Sequence, residues 1–459
     1  MTGEAATERT PFDRLDALVS LAAIRRPAHR VSGRVSRIST SFIVVTGLSK
    51  FVSIGDAVSI AGVGGPVLGE VASIDANTIN VTPFVADHRI ELNACVTAMS
   101  GQMTLFPHET WLGRTLDALG RPIDDGEPLL QGDRAVPIQG SPPSAMRRSR
   151  LGAPLTTGVK AIDLFTPICA GQRIGIFAGS GVGKSTLLAM LSRAPSADMT
   201  VLALVGERSR EVRDFLEDTL GETRSQVISV VATSDESPMM RRLAPVSAMA
   251  IAEYFRDQGK NVLLIIDSLT RYAHSMRELA LAADEPPVAR GYPPSVFSAL
   301  PKLLERAGTG EEGAGTITAI LSVLIDGDDH NDPIADATRG ILDGHIVLDR
   351  AIASQGRLPA VDPLVSLSRL APKIRTKQQA QFATLLIELV SRFEDTRDLR
   401  AIGGYKPGSD ITLDQAMEIV PRLYDGLKQS LDEPPVADVF SFLSQMLPGG
   451  SRNGTQQPR

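Results

Sequence analysis

Cysteine and aromatic side chains are scarce in this 459-residue chain, which has two cysteines, one tryptophan and 4% aromatic residues overall. Two isolated thiols, Cys95 and Cys169, exclude a disulfide framework and point to a reducing compartment. The six histidines are scattered, without metal-ligand spacing. Long apolar runs are missing, and a stretch such as Val262 to Ile266 is far too short to cross a bilayer. The N-terminus lacks a basic start followed by an apolar core, so it does not read as a signal peptide. A soluble, cytoplasmic protein is expected. Net charge is only −6, which gives no support for a chain-wide nucleic-acid surface. Short basic runs at Arg25-Arg26, Arg147-Arg148 and Arg241-Arg242 read as solvated faces. What remains is an ordinary globular balance, 43% hydrophobic and 22% charged, with length enough for about three domains.

Three textures succeed one another along the chain. After a polar, partly helical leader (1–27), residues 28–98 carry short alternating apolar stretches between turn signals, such as "SFIVVTG", "DAVSIAG" and "NTINVTPF". Five or six short strands of this kind predict a small closed barrel. Residues 99–375 alternate uniformly apolar strands ("RIGIFAG", "MTVLALVGE", "QVISVVATS", "NVLLIIDS", "GTITAILSVLI", "GHIVLD") with helices, one of them over "PVSAMAIAEYFRDQG". That pattern predicts an α/β domain with a parallel sheet covered on both faces. Residues 376–447 repeat apolar positions at i, i+3, i+4 and read as helices. The tail, 448–459, is polar and Gly-rich and reads as disordered.

Within the α/β region, "FAGSGVGKST" is a phosphate cradle. Ala178 stands where the strict pattern begins with Gly, but Gly179, Gly181 and Gly183 still let the loop turn its N–H groups inward. With Ser180, Val182 and Thr186 these residues make the candidate nucleotide-binding loop. Lys184 is placed to reach the β- and γ-phosphates and the Ser185 hydroxyl to bind Mg²⁺, at a helix start whose dipole favours anions. A second magnesium ligand is expected at the end of a neighbouring strand, where "VLLIIDS" supplies Asp267. The same residue could instead cap the helix that follows, and both roles can hold. Glu207, after the strand ending at Val205, is a candidate to orient the attacking water, because strand C-terminal ends converge on one crevice. Alternatively, Glu207 belongs to a surface Glu–Arg cluster with Arg208 and Glu211. The stretch "DGDDHND" imitates a calcium loop but has Asn331 and Ala337 where the Gly and closing Glu belong, which argues against calcium. Trp111 reads as a packing residue.

Several stretches in order, "GRTLDALGRPIDDG", "LTTGVKAIDLFTPICAGQRIGIFAGSGVGKST", "LVGERSREVRDF", "IIDSLTRYAHSMRE", "EPPVARGYPPSVFSALPKLLERAG", "DGDDHNDPIADATRGILDGHIVLDRAIA" and "VDPLVSLSRLAPKI", resemble one family. The chain is similar to the type III secretion ATPases, the flagellum-specific export branch above all, and more distantly to rotary ATP synthase catalytic subunits. The resemblance spans about Gly33 to Leu447. It implies an N-terminal β-barrel, a RecA-like P-loop domain that binds ATP and Mg²⁺, and a C-terminal helical domain, assembled as a homo-hexamer. It matches Glu207 to the catalytic glutamate, Arg208 to the arginine of the same motif, and Arg369 in "SLSR" to an arginine finger serving the next subunit. Where relatives carry an adenine-stacking Tyr, this chain has Leu358; Tyr405 is another candidate adenine neighbour. The implied partners are an export apparatus, regulatory and stalk proteins, and export chaperones and substrates, at the inner-membrane gate and without nucleic acid.

Four other readings are weighed. An injectisome ATPase would share nearly all these motifs. A rotary synthase subunit would carry an acidic DELSEED-type stretch in its helical domain, which is missing here. An RNA motor of the terminator type would show a basic, aromatic stripe on the barrel, also missing. A non-hydrolysing subunit would lack the glutamate that Glu207 supplies.

Overall fold

The computed structural model describes residues 30–85, 89–99, 101–325 and 332–446. The leader, the tail and nearly all of the calcium-like stretch lie outside them. Contacts divide the chain into two compact units, meeting at Met103 and Thr104.

In the first unit, short β-branched strands alternate inward and outward residues and close on themselves. They are β1 (Ser32–Ile38), β2 (Ile43–Thr46), β3 (Ala57–Gly62), β4 (Gly65–Ile74), β5 (Thr78–Pro83) and β6 (Cys95–Ala98), in barrel order β1-β2-β5-β4-β3-β6. Val35, Val45, Ile60, Val71, Ile79 and Val96 fill the inside. Closure removes the exposed edges that strands this short would otherwise present.

The second unit is built on one sheet. Its strands are β7 (Thr115–Leu116), β8 (Arg173–Ala178), β9 (Met199–Val205), β10 (Val227–Ala232), β11 (Asn261–Asp267), β12 (Gly308–Thr309), β13 (Thr316–Leu324), β14 (Gly344–Leu348) and β15 (Leu367–Ser368). The order is β15-β14-β8-β13-β11-β9-β10-β7, with β12 added antiparallel to β13. All other pairs are parallel except β14 with β15. Every residue of β9 and β10 is buried, as strands covered on both faces require.

Helices supply that cover. On one side Leu187, Leu188 and Leu191 of α1 (Lys184–Ser192) share a core with Ile174 and Ile176 of β8, Leu202 of β9, Ile265 of β11 and Ile320 of β13. The helix α2 (Pro238–Asp257) packs on β9, β10 and β11. It begins earlier than the expected start at Pro245. Ser237 accepts a hydrogen bond from the Met240 N–H and Pro238 sits at the first helical position, so the start signal lies upstream and Pro245 falls inside the helix. Two basic runs each have a member turned away from solvent, while Arg147 stays exposed as expected. Arg148 is half-buried and donates to the carbonyl of Ala307 at 2.9 Å, and Arg241 pairs with Glu278 at 2.8 Å. A guanidinium fork can satisfy such partners with little contact to water.

The C-terminal helices α3 (Lys377–Asp395), α4 (Ile411–Leu427) and α5 (Val439–Met446) belong to this second unit. A capping box starts α3, with Thr376 and Gln379 exchanging bonds. Leu386 and Leu389 of α3, Val420 and Leu423 of α4 and Leu443 of α5 form a core that also takes in Leu164 and Phe165 from the short helix Lys160–Phe165 upstream of β8. Leu389 is 1% exposed. The change Leu389→Ala is expected to cost about 2–5 kcal/mol, measured by chemical denaturation. A loss within about 0.5 kcal/mol, the range of an ordinary surface change, would contradict the packing.

Candidate nucleotide site

Strand β8 ends at Ala178 and the chain turns at once through Gly179–Gly183 into α1. Gly181 (φ +77°) and Gly183 (φ +87°) sit in the left-handed region, which side chains with a Cβ rarely adopt. Gly183 is the N-cap, so the first N–H groups of α1 have no side-chain cap and can serve an anion. Of the predicted loop residues, Gly179, Ser180, Gly181, Gly183, Lys184, Ser185 and Thr186 line a cavity of about 610 Å³. Val182 does not; it is 2% exposed and packs into the core beneath the loop.

The neighbouring strands complete the cavity at their C-terminal ends. Asp267, last residue of β11 and 4% exposed, is paired with the Lys184 ammonium and accepts from the Ser322 hydroxyl of β13 at 2.5 Å. The cap of the following helix (Leu269–Ala282) is Ser268, whose Oγ accepts from the Arg271 N–H. The Asp267 carboxylate is therefore left to the cavity. Glu207 also lines it, with its carboxylate accepting from Arg271 Nη2 at 3.0 Å; Nη1 of the same side chain donates to the carbonyl of Gly206. Glu207 is thus a tethered, mostly buried carboxylate that also meets the Glu211 carboxyl, so it lies at the inner side of the Glu–Arg cluster. Arg208 does face solvent, at the cavity rim, 3.6 Å from Glu211. Burial raises the Glu207 carboxyl above the usual glutamate range, opposed by Lys184 and Arg271 and aided by Asp267 and a hydrogen bond with Glu211.

Ser185 and Asp267 offer two oxygen donors on one cavity wall, the hard-ligand chemistry that suits Mg²⁺. No cluster of three or more metal-binding side chains occurs among the described residues. A magnesium ion that keeps waters and phosphate oxygens as its other ligands needs none.

Leu358 lies beside the loop, its Cδ2 3.7 Å from where a Cβ on Gly183 would stand. Next to it, Phe165, Ile352 and Tyr424 line a small apolar recess. Tyr405 is not part of it; its hydroxyl donates to Asp414 Oδ1 at 2.8 Å, within the helical region. The aromatic rings near Leu358 are those of Phe165 and Tyr424, the latter with the Arg357 guanidinium 3.3 Å from its centroid. Arg369 is also remote from its own chain's cavity. It follows β15, and its N–H donates to the Asp343 carbonyl just before β14. That is the N-terminal edge of the parallel strands, opposite the loop.

Sequence reasoning missed Arg271, Ser322 and Arg350, whose Nη2 donates to the Ser180 carbonyl at 3.3 Å. Only Arg271 left a signal, since it stands four residues after Asp267 at a helix start. In nucleotide-free protein the Glu207 carboxyl should titrate above the ordinary glutamate value. Lys184→Ala should move it higher still, because a nearby cation favours the charged form. Carboxyl-carbon NMR across a pH series checks this, and a downward move in the variant would contradict it.

The chain matches two family models: the nucleotide-binding domain of the ATP synthase alpha/beta family over residues 158–368, and the T3SS EscN ATPase C-terminal domain over 375–443. It is 55% identical over 425 residues to a flagellum-specific ATP synthase of Agrobacterium fabrum, covering 93% of this chain and 90% of that one. It is 52% identical over 450 residues to the flagellum-specific ATP synthase of Rhizobium meliloti, covering 97% and 96%. The structure of the assembled ATPase EscN in complex with its central stalk EscO, from the enteropathogenic E. coli type III secretion system, superposes with a TM-score of 0.82 at 38% identity. That match covers 90% of this chain and 98% of the other. With this fold, this loop and these relatives, the chain belongs to the type III secretion ATPases, on their flagellum-specific side, within the ATP synthase alpha/beta family.

Proposed function

We propose that this ATPase hydrolyses ATP in the cavity shared by Lys184, Glu207 and Asp267 and, as a homo-hexameric ring, drives export of flagellar proteins through a type III secretion apparatus. The observation that carries the reading is the convergence of these three side chains on one cavity, while Arg369 lies at the other end of the same sheet. A ring of identical chains gives such an arginine a use, because a neighbour's cavity can meet the edge that its own cannot.

In this reading the loop N–H groups and the α1 N-terminus bind phosphate, with Ser180 and Thr186 shaping the loop. Lys184 exchanges Asp267 for the β- and γ-phosphates when nucleotide enters. Mg²⁺, held by Ser185 and Asp267, supplies neutralisation of the phosphate oxygens when bound. Glu207 orients and polarises the attacking water, and Arg271 keeps its carboxylate aimed. Arg208, exposed at the rim, is within reach of the phosphates. Arg369 from the adjacent subunit stabilises charge on the transferring phosphoryl group, an effect worth about 10³–10⁵ in rate. Leu358 offers the base an apolar contact without stacking, and Tyr405 serves the helical fold, so discrimination between purine bases is weak.

The EscN structure is of the assembled ATPase in complex with its central stalk EscO. We extend both features to this chain, as a ring around a stalk protein. Export chaperones, their cargo and regulatory proteins would dock on it at the cytoplasmic side of the inner-membrane gate, without nucleic acid. No helix among the described residues is long and apolar enough to cross a membrane, which suits a peripheral attachment.

Glu207→Gln should keep ATP binding and lose about 10²–10⁴ in turnover, while Lys184→Ala should lose both. Normal turnover in Glu207→Gln would sink its role. Lys184→Ala and Arg369→Ala should each be inactive alone yet recover activity when mixed before assembly. About a quarter of interfaces then pair an intact loop with an intact finger. Absence of recovery in stable mixed rings would rule against a finger acting in trans.

A further inference from the structure

The exposed Arg369 side chain has no hydrogen-bond or ion-pair partner among the described residues, so its position depends on its backbone and on what holds that backbone. Two residues do most of the holding. Gln172 is fully buried, and its Nε2 donates to the Asp343 carbonyl at 3.3 Å and to Ser368 Oγ at 3.1 Å. Its Oε1 accepts from the Cys169 N–H at 2.8 Å, and Ser368 Oγ donates onward to the Pro167 carbonyl. Arg173 grips the Asp343 carboxylate through its backbone N–H at 3.0 Å and its Nε at 3.2 Å, and its Nη1 pairs with Glu305 at 2.5 Å. The Asp343 carbonyl is the acceptor of the Arg369 N–H, and Ser368 is the residue before Arg369. The strands meet closely here, since a Cβ at Gly344 would fall 2.5 Å from the Leu367 carbonyl oxygen.

We propose that Gln172 and Arg173 are positioning residues for Arg369, and that through them each chain's own phosphate-loop strand sets the finger it presents to its neighbour. The inference rests on the reading of Arg369 as a finger acting in trans. Its physical basis is the placement of a buried amide. An amide in a core is costly unless bonded, and an aliphatic side chain would fill the same space. Here the two Nε2 bonds go to the carbonyl that anchors Arg369 and to the residue just before it. Arg173 is also the first residue of β8, whose last residue, Ala178, leads into the loop. A shift of β8 on nucleotide binding or release is therefore passed to Asp343 and Ser368, about 16 Å away along the strand at 3.3 Å per residue. Such a link makes the occupancy of one site felt at the next around the ring.

The test uses the full-length chain. In Gln172→Ala, kcat should fall about ten- to a hundredfold, the penalty for misplacing a catalytic group by an ångström or less. KM and nucleotide affinity should stay within twofold, because the loop is untouched. Mixed rings then read direction. Placed in the Lys184→Ala chain, which supplies the working finger, Gln172→Ala should abolish the recovery seen on mixing with Arg369→Ala. Placed in the Arg369→Ala chain, whose finger is already gone, it should leave recovery unchanged. Asp343→Asn, which keeps size and loses the grip of Arg173, should show the same polarity if Gln172→Ala fails to fold. Equal loss in both placements, or unchanged kcat, overturns the proposal while leaving the finger intact. No recovery in the parent mixture of Lys184→Ala and Arg369→Ala removes the finger itself, and this proposal with it.

Discussion

The pairing of Lys184 with Asp267 is the interaction around which the site is arranged. It joins the loop after β8 to the end of β11, two strands separated in the sheet by β13. Ser322 of β13 holds the same carboxylate from the strand between. A buried carboxylate without a partner would cost several kcal/mol, so without nucleotide Lys184 supplies the charge. In the proposed function, phosphate and metal would take over both partners. On that reading the resting ion pair and the nucleotide complex are alternative ways to satisfy the same buried charges.

The parallel sheet decides where those charges can meet. Right-handed crossovers return each strand in the same direction, so Ala178, Val205 and Asp267 all end on one edge. Loop, glutamate and aspartate are gathered there without any long excursion of the chain. The same rule sends the starts of β8 and β14 to the opposite edge, where Gln172, Arg173 and Asp343 hold the strand carrying Arg369. The two ends of one sheet thus carry the loop and Arg369 separately. In the proposed ring that separation is what would let a second copy complete the site and what the proposed coupling would act through.

Much of this was legible from local pattern. Uniformly apolar runs marked strands covered on both faces, and β9 and β10 are buried throughout. Alternation marked the barrel, whose inward residues Val35, Val45 and Ile79 are buried while their neighbours are not. The glycine spacing of the loop announced its backbone, and Gly181 and Gly183 have the positive φ that spacing implied. Asp267 and Glu207 could be named because one ends an apolar strand and the other follows a second such strand with a single residue between. These are short-range signals, set by side-chain period and backbone sterics.

What tertiary structure alone decided involves partners far apart in sequence. Arg271 meets Glu207 across 64 residues, and Gln172 meets Ser368 across 196. Tyr424, not Tyr405, came to the recess beside Leu358, because the packing of α4 against α3 and Phe165 determines which ring faces it. Val182 turned inward although it lies in the middle of the loop, and Arg148 and Arg241 found acceptors that their neighbours along the chain do not supply. In each case the residue type was consistent with more than one environment, and no local period distinguishes them. The sequence by itself determined the elements, the loop and the carboxylates at the strand ends. Only folding determined which distant side chains neutralise, aim and brace them, because a buried charge or amide takes whichever partner the packed core brings within hydrogen-bond reach.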